Sequence, residues 1–274
     1  RLSLIAIAAG CTLILQLLNG CKPNDKAFSG ELAYKHVEAL VNFGPREPGS
    51  QSIIKAQNYI EKELNEFGWK IFRQSFSDQT PQGEKDFVNL RARFSSGDND
   101  IDWKDGGGKI LVCSHYDTKI MESINFLGAN DGGSSTGILI ELGRVLSKNP
   151  NRASRIELVF FDGEEAVVDF TAVDGLYGSR HYAKYWRSAP QEKKPVAAYV
   201  LDLVGDKNMR IDPPIDSPPH LLSQLYKASR QIGKKSLFGI HPTPITDDHV
   251  PLNAAGIPAI DIIDSAYISG GKWH

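Results

Sequence analysis

The sequence predicts an α/β sandwich, with a mixed, mostly parallel central sheet flanked by helices. Two observations lead there. From residue 109 onward, short apolar runs alternate with amphipathic segments, which is how strands and helices follow one another in a parallel sheet. Several of the apolar runs also end in polar residues, the end at which open α/β sheets place their ligands. The 274 residues are 41% hydrophobic and 23% charged, an ordinary globular balance. A net charge of −2 and a pI of about 6.4 offer no nucleic-acid footprint.

The first 26 residues stand apart. Arg1 precedes an almost unbroken apolar run from Leu2 to Leu18, and a polar segment follows. The run is near the short limit for a membrane span and fits a secretory signal better. Leu18-Asn19-Gly20-Cys21 resembles a bacterial lipobox, in which the cysteine is lipidated. A short uncleaved anchor or a buried helix is the alternative. Residues 1–26 are therefore expected to be a signal and lipoprotein segment, and residues 27–274 a single α/β catalytic domain that continues past His274. The protein is expected to be exported, as a periplasmic or cell-envelope lipoprotein anchored through Cys21. That lipid would be its only membrane contact. Of the three cysteines only Cys113 falls in the folded body, so no disulfide framework is expected.

The elements follow in order. SGELAYKHVEALVNFG starts on a capping Ser29 and carries a partial stripe of Leu32, Val37, Leu40 and Val41. GPREPGS is a turn. QSIIKAQNYIEKELNEFG is an amphipathic helix through Ile53, Ile54, Ala56, Tyr59, Ile60 and Leu64, closed by Gly68. WKIFRQSFS and DFVNLRARF alternate as strands do, and QTPQGEK between them reads as a loop. KILVCSHYD, RIELVFFDGEE, PVAAYVLDLVG and IPAIDIID are the later strands. GSSTGILIELGRVLSK, LYGSRHYAKYW and PHLLSQLYKASRQIG are the helices between them.

Acids and a histidine gather at the strand ends: His115 and Asp117, Glu164 and Glu165, and Asp202. Any one alone would be an ordinary solvated loop acid. Two adjacent glutamates closing a buried strand repel each other, and several acids meeting in a cleft usually mean a cation. Asp131, in GANDGGSSTG, is either a helix N-cap or a further member of the cluster. TDDHVPL adds Asp247, Asp248 and His249, and the chain closes on GGKWH.

With these segments in order, the sequence resembles the zinc-dependent, animal-type glutaminyl-peptide cyclotransferases of the zinc aminopeptidase clan. The matching segments are QTPQGEKDFVNL, HYDTK, FLGANDGGSSTG, LVFFDGEEA, DGLYGSRH, VLDLVG, TDDHVPL, GIPAIDII and WH. The resemblance implies a zinc-aminopeptidase-like fold and one zinc per chain, held by Asp131, Glu165 and His274 with an open fourth position. It implies that Glu164 is the general acid/base, that Asp202 and Asp247 are acids beside the reacting group, and that Trp273 is an aromatic wall. The implied partner is a peptide or protein N-terminus bearing glutamine, cyclised to pyroglutamate with release of ammonia. Phe170 is the only aromatic in VVDFTAVDG, where these cyclases carry a tryptophan, so it is the expected substrate-packing residue. Ser114 replaces a cysteine, which removes a local disulfide.

Two other readings stay open. In a two-zinc aminopeptidase, His115 and Asp202 would join Asp131 around a second metal and Glu164 would activate a water. A binding module of the same fold would keep the residues without catalysis. His181 is expected to pack rather than ligate, and His249 to support the Asp247 loop.

Overall fold

The computed structural model describes residues 28–95 and 101–269. Residues 1–26 with Cys21, expected to be a signal and lipoprotein segment, and Trp273 and His274 lie outside the described residues. Strands β1 (Trp69–Thr80), β2 (Gly83–Phe94), β3 (Ile110–His115), β4 (Ile156–Phe161), β5 (Ala197–Asp202) and β6 (Ala259–Ile263) form one sheet in the order β1-β2-β4-β3-β5-β6. β1 and β2 pair antiparallel, as do β2 and β4, and β4, β3, β5 and β6 run parallel. The helices are α1 (Gly30–Asn42), α2 (Gln51–Glu66), α3 (Gly133–Ser147), α4 (Pro150–Ala153), α5 (Tyr177–Arg187), α6 (Pro219–Gln231), α7 (His249–Ala254) and α8 (Ser265–Ser269).

Strand alternation sorts side chains onto two faces. Val112, Leu158, Phe160, Tyr199, Leu201, Ile260 and Ile262 join a core with Leu40, Ile60, Leu64, Ile138, Leu142, Leu221 and Leu225, from α1, α2, α3 and α6. Their neighbours Leu111, Cys113, Val159, Phe161, Ala198, Val200 and Ala259 face the other way, onto Tyr182, Ala183 and Trp186 of α5 and Leu252 of α7. This is the expected three-layer sandwich. β4, β5 and β6 are buried along their whole length and β3 from Leu111 onward, as a sheet covered on both faces requires.

Two details differ from the sequence reading. QTPQGEK is not a loop: β1 and β2 continue to Thr80 and Gly83, leaving only Pro81 and Gln82 as the connection. Apolar alternation fades there because the hairpin tip is exposed, and polar cross-strand pairs take over. Ser77 donates to Asp86 at 2.6 Å and Gln79 to Glu84 at 3.1 Å. In α1 the buried stripe is Ala33, His36, Val37 and Leu40, with Leu32 and Val41 only half-buried. Ser29 caps this helix by accepting from Leu32 N at 3.2 Å, and Gly68 follows α2 with φ 87°. No described helix is long and apolar enough to cross a membrane.

Candidate active site

The parallel register assembles the site. β3 and β5 pair Ile110 with Ala197 through Cys113 with Val200. Two further residues in the same register bring His115 beside Asp202, and His115 Nε2 lies 3.2 Å from Asp202 Oδ1. The same nitrogen is 3.0 Å from Asp131 Oδ1. Ligand atoms of His115, Asp131 and Asp202 all lie within 4.8 Å of one another, and all three residues are buried. Asp131 is not the cap of α3. Gly132 takes that place with φ 66° and no side-chain cap bond, which leaves the Asp131 carboxylate turned to the histidine.

The two glutamates follow β4. Gly163 has φ 67°, and a Cβ on it would lie 2.5 Å from the Phe87 ring, so only glycine makes this turn. The turn is tied to the start of α5, where Tyr177 N donates to Gly163 O at 2.7 Å and Leu176 N to Glu164 O at 2.8 Å. Asp117, just past β3, accepts from Glu164 N and Glu165 N at 3.2 Å each. Its Oδ1 also faces His115 Nδ1 at 3.3 Å. One buried carboxylate thus orients both the histidine and the glutamate pair.

Asp202 ends β5, and the turn beyond it is strained. Leu203 has φ 52°, and its N–H returns to Asp202 Oδ1 at 2.7 Å. Val204 N and Gly205 N are held by Ser134 Oγ and Asn130 Oδ1 at 3.2 and 2.7 Å, which joins this turn to the start of α3. Asp247 precedes α7. Its ligand atoms lie within 4.8 Å of those of His249 and Asp261, all buried.

A cavity of about 350 Å³ opens on this cluster. Asp131, Glu164, Asp202 and Asp247 share its wall with Phe170, Leu203, His241, Pro244, Ile245 and Ile263, and no lysine or arginine lines it among the described residues. Phe170 is seated over Gly175, and Lys119 Nζ lies 5.9 Å from its ring. Burial pushes the Glu164 carboxyl well above its ordinary range; His115 pulls it back, and Glu165, Asp247 and Asp248 push it further. Burial also raises Asp202, with Asp131 adding to it, and raises Asp247, with Asp202 adding to it. Burial works against charge on His115, but Asp117, Asp131 and Asp202 overcome it and hold the imidazole well above its usual value. Acids that repel one another around one imidazole, with no lysine or arginine on the cavity wall among the described residues, are a donor set that suits a divalent cation.

Of the residues named from sequence, Asp131, Glu164, Phe170, Asp202 and Asp247 meet at this cavity. Glu165 is buried beside Glu164. His181 stacks on Phe76 with ring centroids 4.0 Å apart. His249 is buried, with Nδ1 3.8 Å from Asp261. Asp162, which stands with Glu164 and Glu165 at the end of the same apolar run but was given no role from sequence, accepts from Val88 N at 2.8 Å and from Tyr116 at 3.2 Å. The sequence reading overlooked Asp261, which is wholly buried in β6. An ionisable residue in the middle of the apolar run IPAIDII was the available signal for Asp261.

Fold and site together define an α/β protein of the enzyme type, with a candidate metal-binding cluster at the carboxyl ends of parallel strands. Residues 100–274 match peptidase family M28. The glutaminyl-peptide cyclotransferase of Dictyostelium discoideum is 30% identical over 80% of this chain and 71% of its own length. The bovine glutaminyl-peptide cyclotransferase-like protein is 27% identical over 84% of this chain, which spans 64% of that relative. The crystal structure of an Acidobacteriales bacterium glutaminyl cyclase superposes with a TM-score of 0.76 at 36% identity, covering 86% of this chain and 80% of that one. The chain belongs to peptidase family M28 and, within it, to the glutaminyl-peptide cyclotransferases.

Proposed function

We propose that the protein is a zinc-dependent glutaminyl-peptide cyclotransferase, which converts the N-terminal glutamine of a peptide to pyroglutamate and releases ammonia. The observation that carries this is the convergence of Glu164, Asp202 and Asp247 with Asp131 on one 350 Å³ cavity. The kinship with glutaminyl cyclases supports it. Asp131, Glu165 and His274 would hold one zinc, which when bound would act as a Lewis acid toward the γ-amide carbonyl.

The chain's own residues do the rest. Asp202 and Asp247 hold the α-amino group and orient it toward the δ-carbon of the same residue, the carbonyl carbon of its γ-amide. The amine forms the new C–N bond, and the bond from that carbon to the amide nitrogen breaks. Glu164 takes the proton from the amine and delivers it to the leaving nitrogen, which departs as ammonia. A carboxyl raised by burial holds a taken-up proton better than an exposed one and can pass it on to the leaving nitrogen. Phe170, Pro244 and Ile245 give the glutaminyl peptide an apolar wall. Trp273 would add to that wall.

The grouping of His115 with Asp131 and Asp202 favours one alternative, a two-zinc aminopeptidase. Two substrates separate the readings. A glutaminyl peptide should release ammonia, and a leucyl peptide should release no leucine. The reverse pattern, with two zinc ions per chain instead of one, overturns the cyclase. Silence on both substrates with zinc bound would leave a binding module.

For residues 1–26 the proposal is export and lipidation at Cys21, supported by the apolar run before Leu18-Asn19-Gly20-Cys21. Labelling of the parent with a radioactive fatty acid, absent in Cys21→Ala, tests it. An unlabelled parent rejects it.

A further inference from the structure

The segment GPREPGS reads as a turn, and no step above uses it. Its arginine is completely buried, at 0% exposure. Arg46 Nε donates to Tyr116 O at 2.7 Å, one terminal nitrogen to Leu127 O at 2.7 Å and the other to Gly128 O at 3.0 Å. Its backbone pairs with Thr118 in both directions. Arg46 N donates to Thr118 Oγ1 at 2.8 Å, and Thr118 N donates to Arg46 O at 3.2 Å.

These partners are the two ends of the loop 116–128. His115 and Asp117 stand at its start, and Asp131 stands just past its end. Gly128 O also accepts from Gly133 N at 3.1 Å, so the guanidinium is tied through one carbonyl to the first turn of α3, with Asp131 between. Gly128 has φ 54°, and a Cβ there would lie 2.5 Å from Thr118 Cγ2, 2.7 Å from Asp131 O and 2.9 Å from Arg46 Nη2. The junction has no slack. Burial lowers the Arg46 pKa to about 10, with Asp117 and Asp131 working against the fall, so the group stays charged at neutral pH.

We propose that Arg46 is a positioning residue for the metal-binding cluster: by clamping both ends of the 116–128 loop it sets His115 and Asp117 against Asp131. The inference rests on Asp131 being a metal ligand, as in the proposed function, and extends it to a residue outside the cavity. A lysine could not replace the clamp, because an ammonium is a point charge without the planar fork that meets three carbonyls at once.

The test uses the full-length protein and zinc alone. Arg46→Lys keeps the charge and loses the fork, and Thr118→Val removes one strut and keeps the shape. Zinc affinity is read by competition with a chromogenic chelator, alongside the thermal midpoint of each metal-free protein. Residues that orient metal ligands typically change affinity about 10- to 100-fold, which is the fall expected for Arg46→Lys. Thr118→Val should fall in the same direction by less. Parent-like zinc affinity in folded Arg46→Lys overturns the proposal, whatever the thermal midpoint does. If Arg46→Lys does not fold, parent-like affinity in Thr118→Val overturns it instead. Zinc is measured without substrate, so a parent that binds zinc but cyclises no glutaminyl peptide would reject the proposed reaction and leave this result standing.

Discussion

Asp117 accepts the backbone N–H of Glu164 at 3.2 Å, so an acid at the end of β3 aims the proposed proton carrier at the end of β4. The same carboxylate takes the N–H of Glu165 and faces His115 Nδ1. Three groups from two strand ends therefore share one buried acceptor. Such an arrangement is sensitive to losing a single oxygen.

Asp117→Asn tests that sharing. The amide keeps one acceptor oxygen, so it cannot serve both N–H groups and the imidazole together. Zinc affinity should fall by about 10- to 100-fold, the usual cost of disturbing a group behind the ligands. Ammonia release at saturating zinc should fall as well, because Glu164 is no longer aimed. Parent values for both in the variant would show Asp117 to be an idle neighbour.

Glu164→Gln separates proton transfer from metal binding. The substitution is nearly isosteric and leaves Asp131 and Glu165 in place. Loss of a general acid/base typically costs about 10² to 10⁴ in rate, so kcat for a glutaminyl peptide should drop by that much with zinc content unchanged. Loss of zinc together with activity would place Glu164 among the ligands instead.

The parallel strands and their polar ends were legible because burial on both faces leaves long apolar runs, and because sheet topology puts ligands where those runs stop. Glu164 and Asp202 could be named from the sequence for that reason, whereas Asp247, which precedes α7 rather than ending a strand, was named through the resemblance. The β1–β2 hairpin tip was not legible, since pairs such as Ser77 with Asp86 leave no apolar period. Arg46 was invisible for a different reason. Its partners lie 70 to 82 residues further along the chain, and nothing in GPREPGS records them. Asp117 was seen, but its role depends on the backbone of a turn 47 residues away.

His36 predicts an acid limb in stability that is independent of the active site. It is buried in α1, with Nδ1 2.6 Å from the Tyr59 hydroxyl. Burial lowers its pKa to about 4, with Glu141 pulling upward and Arg144 downward. A histidine depressed in the folded state stabilises the fold fully above its unfolded pKa of about 6.5, and that contribution is lost as pH falls toward 4. The full loss is about 3 kcal/mol at most. His36→Gln removes the titration, so its stability should fall less than the parent's between pH 6.5 and 4. Parallel denaturation curves for the two proteins across that window would reject the assignment.

Asp174 predicts a binding effect without a chemical one. Its carboxylate accepts from Val167 N at 2.7 Å, Val168 N at 2.9 Å, Asp169 N at 3.1 Å and the Tyr177 hydroxyl at 2.8 Å. Burial opposes its charge, but these donors hold its pKa below the ordinary carboxylate range. The bonded segment leads directly into Phe170, which lines the cavity. Asp174→Ala leaves three backbone N–H groups and a hydroxyl without their acceptor, and the loop must reorganise to satisfy them. Phe170 then loses its fixed place over Gly175, while Glu164 keeps its bonds to Asp117 and Leu176. KM for a glutaminyl peptide should rise by roughly tenfold, equivalent to a loss of about 1.4 kcal/mol, with kcat nearly unchanged. Asp174→Asn keeps one acceptor oxygen and should fall between the two. Steady-state ammonia release across a range of peptide concentrations resolves the pair of constants. A fall in kcat at constant KM would mean that the loop supports the proton carrier rather than the substrate wall.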